Sequence, residues 1–198
     1  MSVRITGGKM KGVRLASPGA GGGRHRLRPT TGRTRAAIFD MLIHSDIGDC
    51  VSGARALDLF AGTGAMGLEA LSRGASSAAF VERDGRACEL IRKNVKLLGV
   101  ASSTTIYRCD ATALPPARQP PCNLAFLDPP YGRGLAAAAI AAALGKRWIE
   151  AGCVFVVEES EPMPNGGQFE FLSHRRYGST SISIGTIRET SPRSDSHG

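Results

Sequence analysis

Short apolar runs alternate along this chain with segments whose apolar residues recur at helical spacing. The apolar runs predict strands over residues 55–60, 77–82, 104–109, 124–128 and 153–158. The amphipathic and alanine-rich segments predict helices over residues 30–44, 65–73, 86–98 and 135–146. Strands that alternate with helices are typical of βαβ units, so we expect a parallel sheet with helices on both faces.

The N-terminal part of the chain, residues 1–44, has a different pattern. Two short strands with a Gly-Gly turn come first, and the glycine-rich stretch 17–29 predicts a loop that is poorly ordered without a partner. The loop leads into a helix, which Thr30 or Thr31 can cap. We therefore expect residues 1–44 to form a small extension made of a hairpin, a loop and a helix.

The C-terminal part of the chain predicts an antiparallel pair of strands, residues 169–172 and 180–187, around a polar turn. With the five strands before them, they complete a mainly parallel seven-stranded sheet that ends on an antiparallel strand. The main domain then spans residues 45–189, and residues 190–198 predict a disordered tail.

Composition bounds the class of protein. The chain has 198 residues, 42% of them hydrophobic, which suits one domain with a core of its own. No apolar run reaches the roughly 18 residues of a membrane span, and the N-terminus lacks the apolar region of a secretory signal. We expect a monomer in the cytosol without a membrane partner. Five cysteines without a Cys-x-x-Cys pair argue against a disulfide scaffold and against a metal site.

Positive charge is concentrated at the start of the chain. Nine of the 25 lysines and arginines lie in residues 1–39, and all 17 acidic residues lie beyond them. A basic arm on a nearly neutral body favours a polyanionic partner such as nucleic acid, although a solvated basic tail has the same composition. The cations of Arg33 and Arg35 oppose the dipole of the helix that they begin, which favours an external anion. The candidate contacts to RNA are Arg4, Lys9, Lys11, Arg28, Thr30, Thr31, Arg33 and Arg35.

A glycine-rich turn follows the first strand of the main domain. Gly62, Gly64 and Gly67 spell G-x-G-x-x-G, and Glu82 lies 20 residues beyond the first of them, as in a dinucleotide site. Asp58, however, lies just before the glycines and would repel a diphosphate. The same carboxylate would attract an ammonium group, which favours S-adenosylmethionine over a dinucleotide.

Acidic residues also end the next two predicted strands. Glu82 suits a ribose, because a carboxylate can accept hydrogen bonds from both hydroxyls. Asp110 can accept a hydrogen bond from the amino group of adenine. The remaining candidate cofactor contacts lie beside these residues and are Phe60, Ala61, Arg83 and Ala111.

The fourth strand of the main domain ends in Asp128-Pro129-Pro130-Tyr131. The two prolines fix the backbone and donate no hydrogen bond, so the turn presents acceptors. Such a turn suits the exocyclic amino group of a base that is flipped out of its helix. Acceptors can bind both N–H groups of that amino group, and Tyr131 can stack on the ring of the base. We therefore take these four residues as the candidate catalytic site.

These motifs together resemble the class I S-adenosylmethionine-dependent amino-methyltransferases. The stretches RITGGKMKGVRL, LRPTTGRTRAAIFDML, LDLFAGTGAMGLEALSRGA and RRYGSTSISI narrow the resemblance to the RsmD-type 16S ribosomal RNA guanine-N2 methyltransferases over residues 3–188. The resemblance implies a Rossmann-like fold and S-adenosylmethionine as cofactor. It also implies guanine 966 of 16S ribosomal RNA as substrate, within an assembling 30S particle.

Two other functions remain open at this point. A DNA adenine-N6 methyltransferase can also carry Asp-Pro-Pro-Tyr, although the chain is short and shows no separate target-recognition domain. A non-catalytic RNA-binding assembly protein could retain the same fold. Intact Asp128 and Tyr131 argue against that possibility.

Overall fold

The computed structural model describes residues 3–17, 31–130, 134–163 and 166–189. Its helices are α1 (Gly32–His44), α2 (Ala65–Ser72), α3 (Gly85–Leu98) and α4 (Leu135–Gly145). Its strands are β1 (Arg55–Leu59), β2 (Ser77–Val81), β3 (Thr104–Tyr107), β4 (Cys122–Leu127), β5 (Ile149–Glu159), β6 (Phe169–Tyr177) and β7 (Thr180–Ile187). The predicted tail and most of the predicted loop 17–29 lie outside the described residues.

The seven strands form one sheet in the order β3-β2-β1-β4-β5-β7-β6. Strands β1 to β5 pair in parallel, whereas β7 is antiparallel to β5 and β6 is antiparallel to β7. The predicted fold class is thereby confirmed. Most element bounds differ from the prediction by one or two residues, but β5 and β6 are several residues longer because both continue through exposed positions that interrupt their buried apolar runs.

Alternate residues of the strands pack on opposite faces of the sheet, as the pleat requires. On one face, Phe80 and Phe126 join a core with α1, α2, α3 and the N-terminal hairpin. On the other face, Leu57 and Phe155 pack with α4 and with the loop before β4. Helices therefore cover both faces, and the strand ends stay free to carry a site.

The N-terminal hairpin shares its core with the rest of the molecule. Val3, Ile5 and Leu15 are buried in the same cluster as Phe126, whose ring lies 5.4 Å from that of Phe39 in α1. The hairpin itself is held by backbone hydrogen bonds such as that from the N–H of Ile5 to the carbonyl of Val13. The boundary predicted after residue 44 therefore does not separate two cores.

Candidate active site

The carboxyl ends of the parallel strands bring several predicted site residues to one edge. Leu59 is in register with Val81 and Leu127, and Leu127 is in register with Val157. One residue further on, the chain reaches Glu82 after β2, Phe60 after β1, Asp128 after β4 and Glu158 near the end of β5. With a spacing of about 4.8 Å between strands, the Cα atoms of Glu82 and Asp128 are about 10 Å apart across the turn after β1.

The turn after β1 requires unusual backbone conformations. Phe60 has a φ of 60°, and Gly62 and Gly64 have φ values of 55° and 76°. A bulky residue with positive φ is strained, and such residues concentrate at functional sites. The glycines adopt this conformation without a steric penalty, and Gly64 is the N-cap of α2. Ala61 is nearly buried, with its N–H bonded to the carbonyl of Val81.

Asp58 lies one residue before the end of β1 and is buried beneath this turn. Its Oδ2 accepts a hydrogen bond of 2.9 Å from the N–H of Gly67 in α2. Burial raises the pKa of Asp58 to about 8, opposed by the Gly67 hydrogen bond and assisted by the negative charge of Glu82. A ligand that brings positive charge to this carboxyl would offset the cost of its burial.

Backbone donors hold Glu82 in one orientation. Its Oε2 accepts from the N–H of Gly62 at 2.9 Å, and its Oε1 accepts from the N–H of Asp84 at 2.8 Å. Each carboxylate oxygen has a second lone pair, so Glu82 can still accept from a pair of hydroxyls. Arg83, the next residue, is exposed.

Asp110 lies in a loop rather than at a strand end, because β3 already ends at Tyr107. Its Oδ1 accepts from the N–H and the hydroxyl of Thr112, and these bonds lower the pKa of Asp110. The positive charge of Arg83 lowers the pKa of Asp110 further. The side chain of Ala111 is buried in the core below α4. The contact between Asp110 and adenine stays a prediction.

Asp128 is half-buried, whereas Pro129 is buried and Pro130 exposed. Burial, assisted by the negative charges of Glu158, Asp58 and Glu159, raises the pKa of Asp128 well above its usual value. The structure therefore brings together the predicted cofactor acid Asp58 and the predicted base-site acid Asp128. Tyr131 lies outside the described residues.

Glu158 and Glu159 are site residues that the sequence analysis missed. Both are buried, at 7% and 8% exposure, at the carboxyl end of β5. Two acids after the apolar run VFVV are the same signal that identified Glu82, an acid at a strand end. This edge of the sheet is thus acidic, which suits a ligand with cationic groups such as a sulfonium and an ammonium and disfavours a diphosphate.

The comparison with known proteins gives the family. A family model described as Conserved hypothetical protein 95 matches residues 3–186. The chain belongs to this family. Ribosomal RNA small subunit methyltransferase D of Escherichia coli is 38% identical over 133 residues, which are 67% of this chain and 62% of that relative. The resemblance to the RsmD-type methyltransferases is confirmed, while the match spans less than two thirds of that relative.

Solved structures give the same fold. A putative methyltransferase from Escherichia coli superposes with a TM-score of 0.80 at 29% identity, covering 96% of this chain and 100% of its own. An RNA methyltransferase from Salinibacter ruber, solved in complex with S-adenosyl-L-homocysteine, has a TM-score of 0.62 at 17% identity and covers 83% of this chain and 97% of its own. The latter likeness shows the fold alone, which is that of class I methyltransferases.

The predicted RNA contacts fall into different environments. Arg4, Lys9, Lys11 and Arg33 are exposed, and Arg28 and Thr30 lie outside the described residues. Thr31 is exposed and caps α1, since its hydroxyl accepts a hydrogen bond of 3.2 Å from the N–H of Thr34.

The prediction that Arg35 contacts RNA is wrong. Its side chain is 1% exposed and its Nε donates to Oε2 of Glu69 at 3.1 Å. The guanidinium also donates to the carbonyl of Arg4. The anion that compensates its charge at the start of α1 is therefore an internal carboxylate, and Arg35 is not accessible to a partner.

Asn94 is a third residue that the sequence analysis missed. This buried residue of α3 donates from Nδ2 to the carbonyl of Thr63 in the glycine turn at 3.0 Å. It also pairs with both the N–H and the carbonyl of Ala16. A polar residue among the apolar positions of α3 was the available signal. Through Asn94, the end of the N-terminal hairpin is fixed beside the glycine turn.

Two classes of site are not found among the residues that the structure describes. They contain no group of three or more His, Cys, Asp or Glu side chains placed to hold a metal ion. Within the same ranges, every helix is too short or too polar to cross a membrane.

Proposed function

We propose that the protein transfers a methyl group from S-adenosylmethionine to the N2 amino group of a guanine in 16S ribosomal RNA. By family resemblance the target is guanine 966, within an assembling 30S particle, and the protein acts as a monomer in the cytoplasm. One observation carries the proposal: Asp58, Glu82 and Asp128 converge at the carboxyl edge of the sheet around a turn with positive φ angles.

The residues present fit S-adenosylmethionine. Asp58 provides a buried carboxyl for the α-ammonium group, and Glu82, oriented by two backbone N–H groups, accepts from the ribose hydroxyls. Asp110 and Ala111 are the proposed contacts to adenine, and Gly62 and Gly64 allow close approach to the backbone. When bound, the cofactor supplies an electrophilic methyl group on a positively charged sulfur.

Asp128 is proposed to bind the target amino group. Conjugation with the ring makes this nitrogen a poor nucleophile, and acceptors at its N–H groups favour a reactive geometry. The Asp128 carboxyl and the carbonyls of the two prolines supply such acceptors at one place. Because its pKa is raised, the carboxylate of Asp128 is also more basic than an ordinary aspartate. It is therefore suited to take the proton that nitrogen loses after methyl transfer.

The test is methyl transfer to 30S particles from cells that lack the modification. Labelled S-adenosylmethionine is supplied, and the labelled nucleotide is mapped. We expect one guanine to be labelled at N2. In a parallel reaction with DNA that lacks methylation, label on adenine would instead support the DNA methyltransferase. Binding of the particle without transfer would support a non-catalytic assembly protein.

A variant connects the activity with the site. Asp128→Asn removes the negative charge and keeps the shape, so we expect the rate to fall by about 10²-fold or more. The affinity for S-adenosylmethionine, measured by calorimetry, should change far less than the rate, because the proposed cofactor contacts Asp58 and Glu82 stay in place. Full activity in Asp128→Asn would refute the proposed role.

A further inference from the structure

The hairpin of β6 and β7 has its tip at the same edge as the candidate active site. Strand β7 is antiparallel to β5, with Ser181 in register with Glu159 at the carboxyl end of β5. Tyr177 pairs with Thr180 one position further along. The turn between β6 and β7 therefore lies just beyond Glu159, at the same edge of the sheet as Asp128.

The end of β6 at this tip carries two adjacent exposed arginines. Arg176 forms an ion pair with Glu161 at 3.4 Å in which both side chains are more than half exposed, so the pair can exchange for a phosphate at little cost. Arg175 donates to the carbonyl of His174. Over the described ranges of the chain, no carboxylate lies within ion-pair distance of Arg175.

One face of this tip adjoins the N-terminal part of the molecule. Arg175 pairs with Ile182, and Tyr177 packs against the hydrophobic cluster that contains Ile182 and α1. Arg175 and Tyr177, two positions apart in one strand, thus share the α1 face, while Arg176 points to the other face. Cations of the hairpin therefore lie on both sides of the sheet at its carboxyl edge.

The acidic edge itself cannot hold a polyanion. Asp58, Glu82, Asp128, Glu158 and Glu159 all lie there. Those of these acids that are ionised repel RNA phosphates, so a base can enter only if cations beside the edge hold the backbone. The end of the N-terminal hairpin lies beside the glycine turn, where Asn94 pairs with Ala16, and the exposed Arg14 comes two residues before Ala16. The part of the edge that Asp128 and β5 form needs a second set of cations.

We propose that the tip of the β6–β7 hairpin is this second set, and that Arg175 and Arg176 bind phosphates of the RNA substrate. The proposal rests on the proposed function, and it identifies an RNA contact outside the N-terminal extension. Arginines on an edge strand can also serve to block pairing with other chains. The two roles differ in their consequences, because blocking needs a cation on the strand whereas phosphate binding needs it at the catalytic edge.

The same hairpin provides a matched control. Arg188 follows β7 at the opposite end of the sheet and pairs with Glu170 at 3.3 Å, with both side chains about half exposed. Its Cα lies about 24 Å along the strand from Ser181, the residue opposite Arg176. Arg176 and Arg188 therefore have similar ion pairs on the same hairpin and differ in their distance from the active site.

The experiment compares the full-length wild type with three variants: Arg175→Ala/Arg176→Ala, Arg175→Lys/Arg176→Lys and Arg188→Ala. Affinity for a 16S ribosomal RNA transcript is measured by filter binding at several KCl concentrations, and methyl transfer is measured with 30S particles. For the double alanine variant we expect about tenfold weaker RNA binding and a salt slope lower by about 1 to 2. The KM for RNA should rise, while kcat and the affinity for S-adenosylmethionine stay unchanged.

The two control variants should bind RNA nearly as the wild type does, because one keeps both charges and the other removes a distant one. Unchanged RNA affinity and salt slope in the double alanine variant would overturn the proposal. So would self-association with unchanged RNA affinity, which indicates a blocking role, or weaker action on 30S particles alone, which indicates a protein partner. Failure of the proposed function is distinguishable, because the wild type would then methylate no guanine whatever the variants bind.

Discussion

Replacement of Glu69 tests how the N-terminal hairpin is attached to the sheet. The carboxylate of Glu69 in α2 is fully buried and accepts hydrogen bonds from four groups. These are the N–H and the hydroxyl of Thr6, the Nε of Arg35 and the Nε of Arg73, at 2.7 to 3.1 Å. The Arg35 side chain is 1% exposed and that of Arg73 is 16% exposed, so neither guanidinium is well hydrated.

Glu69→Ala would leave these donors and two positive charges without their acceptor. Removal of one partner of a buried ion pair costs about 3–5 kcal/mol, because the remaining charge is uncompensated. We expect the free energy of unfolding to fall by about this amount. Glu69→Gln should cost less, since its amide oxygen still accepts hydrogen bonds.

The measurement is urea unfolding followed by circular dichroism, with the slope against urea compared among variants. Glu89→Ala is the matched control, because it breaks an exposed ion pair of 2.6 Å with Arg92 on the surface of α3. That change should cost less than about 1 kcal/mol. If Glu69→Ala is no more destabilising than Glu89→Ala, the network does not hold the hairpin in place. Faster amide exchange at Thr6 in Glu69→Ala would locate the loss at the hairpin.

Three further predictions concern the cofactor side of the site. Burial raises the pKa of Asp58 to about 8. The free folded protein therefore keeps a proton on Asp58 that the unfolded chain loses near pH 4, and the free energy of unfolding falls as the pH rises from about 4 to about 8. A bound ammonium group expels this proton, so the affinity for S-adenosylmethionine, measured by calorimetry, should rise up to about tenfold per pH unit between about pH 6 and 7.5. Asp58→Asn should show no such pH dependence, and a flat profile for the wild type would contradict the proposed role of Asp58. Glu82→Ala should weaken S-adenosylmethionine binding, and an unchanged dissociation constant would exclude the ribose contact. In Gly67→Ala the new methyl group would lie 2.5 Å from the buried ring of Phe80, so unfolding in urea should show a loss of about 1–3 kcal/mol, and wild-type stability would refute the close helix–strand packing.

Local pattern was sufficient for most of the elements. Buried strands and amphipathic helices leave a period in the sequence, and Asp84 and Gly99 delimit α3 as its caps. The pattern was weaker where a strand is exposed, and β6 extends to Tyr177 through polar positions that interrupt any apolar run. Composition does not separate Arg35 from the other basic residues of the N-terminal segment, although its side chain belongs to the interior.

The sequence by itself determined the main features of the candidate site. Alternating strands and helices imply a parallel sheet, and a parallel sheet brings all its carboxyl strand ends to one edge. Asp58, Glu82 and Asp128 could therefore be placed together from their positions after apolar runs. The carboxyl group of Asp58 before the glycines argued against a diphosphate at this turn.

Only the tertiary structure decided which polar groups meet across the chain. Arg35 pairs with Glu69, 34 residues away, and Asn94 pairs with Ala16, 78 residues away. No local period encodes such pairs, because they depend on how helices and hairpin pack once the sheet has formed. The register of β7 against β5 likewise decided that Arg175 and Arg176 lie at the carboxyl edge of the parallel strands and Arg188 does not. A hairpin makes its own two strands antiparallel, but the alignment of β7 with β5 follows from the packing of the whole sheet.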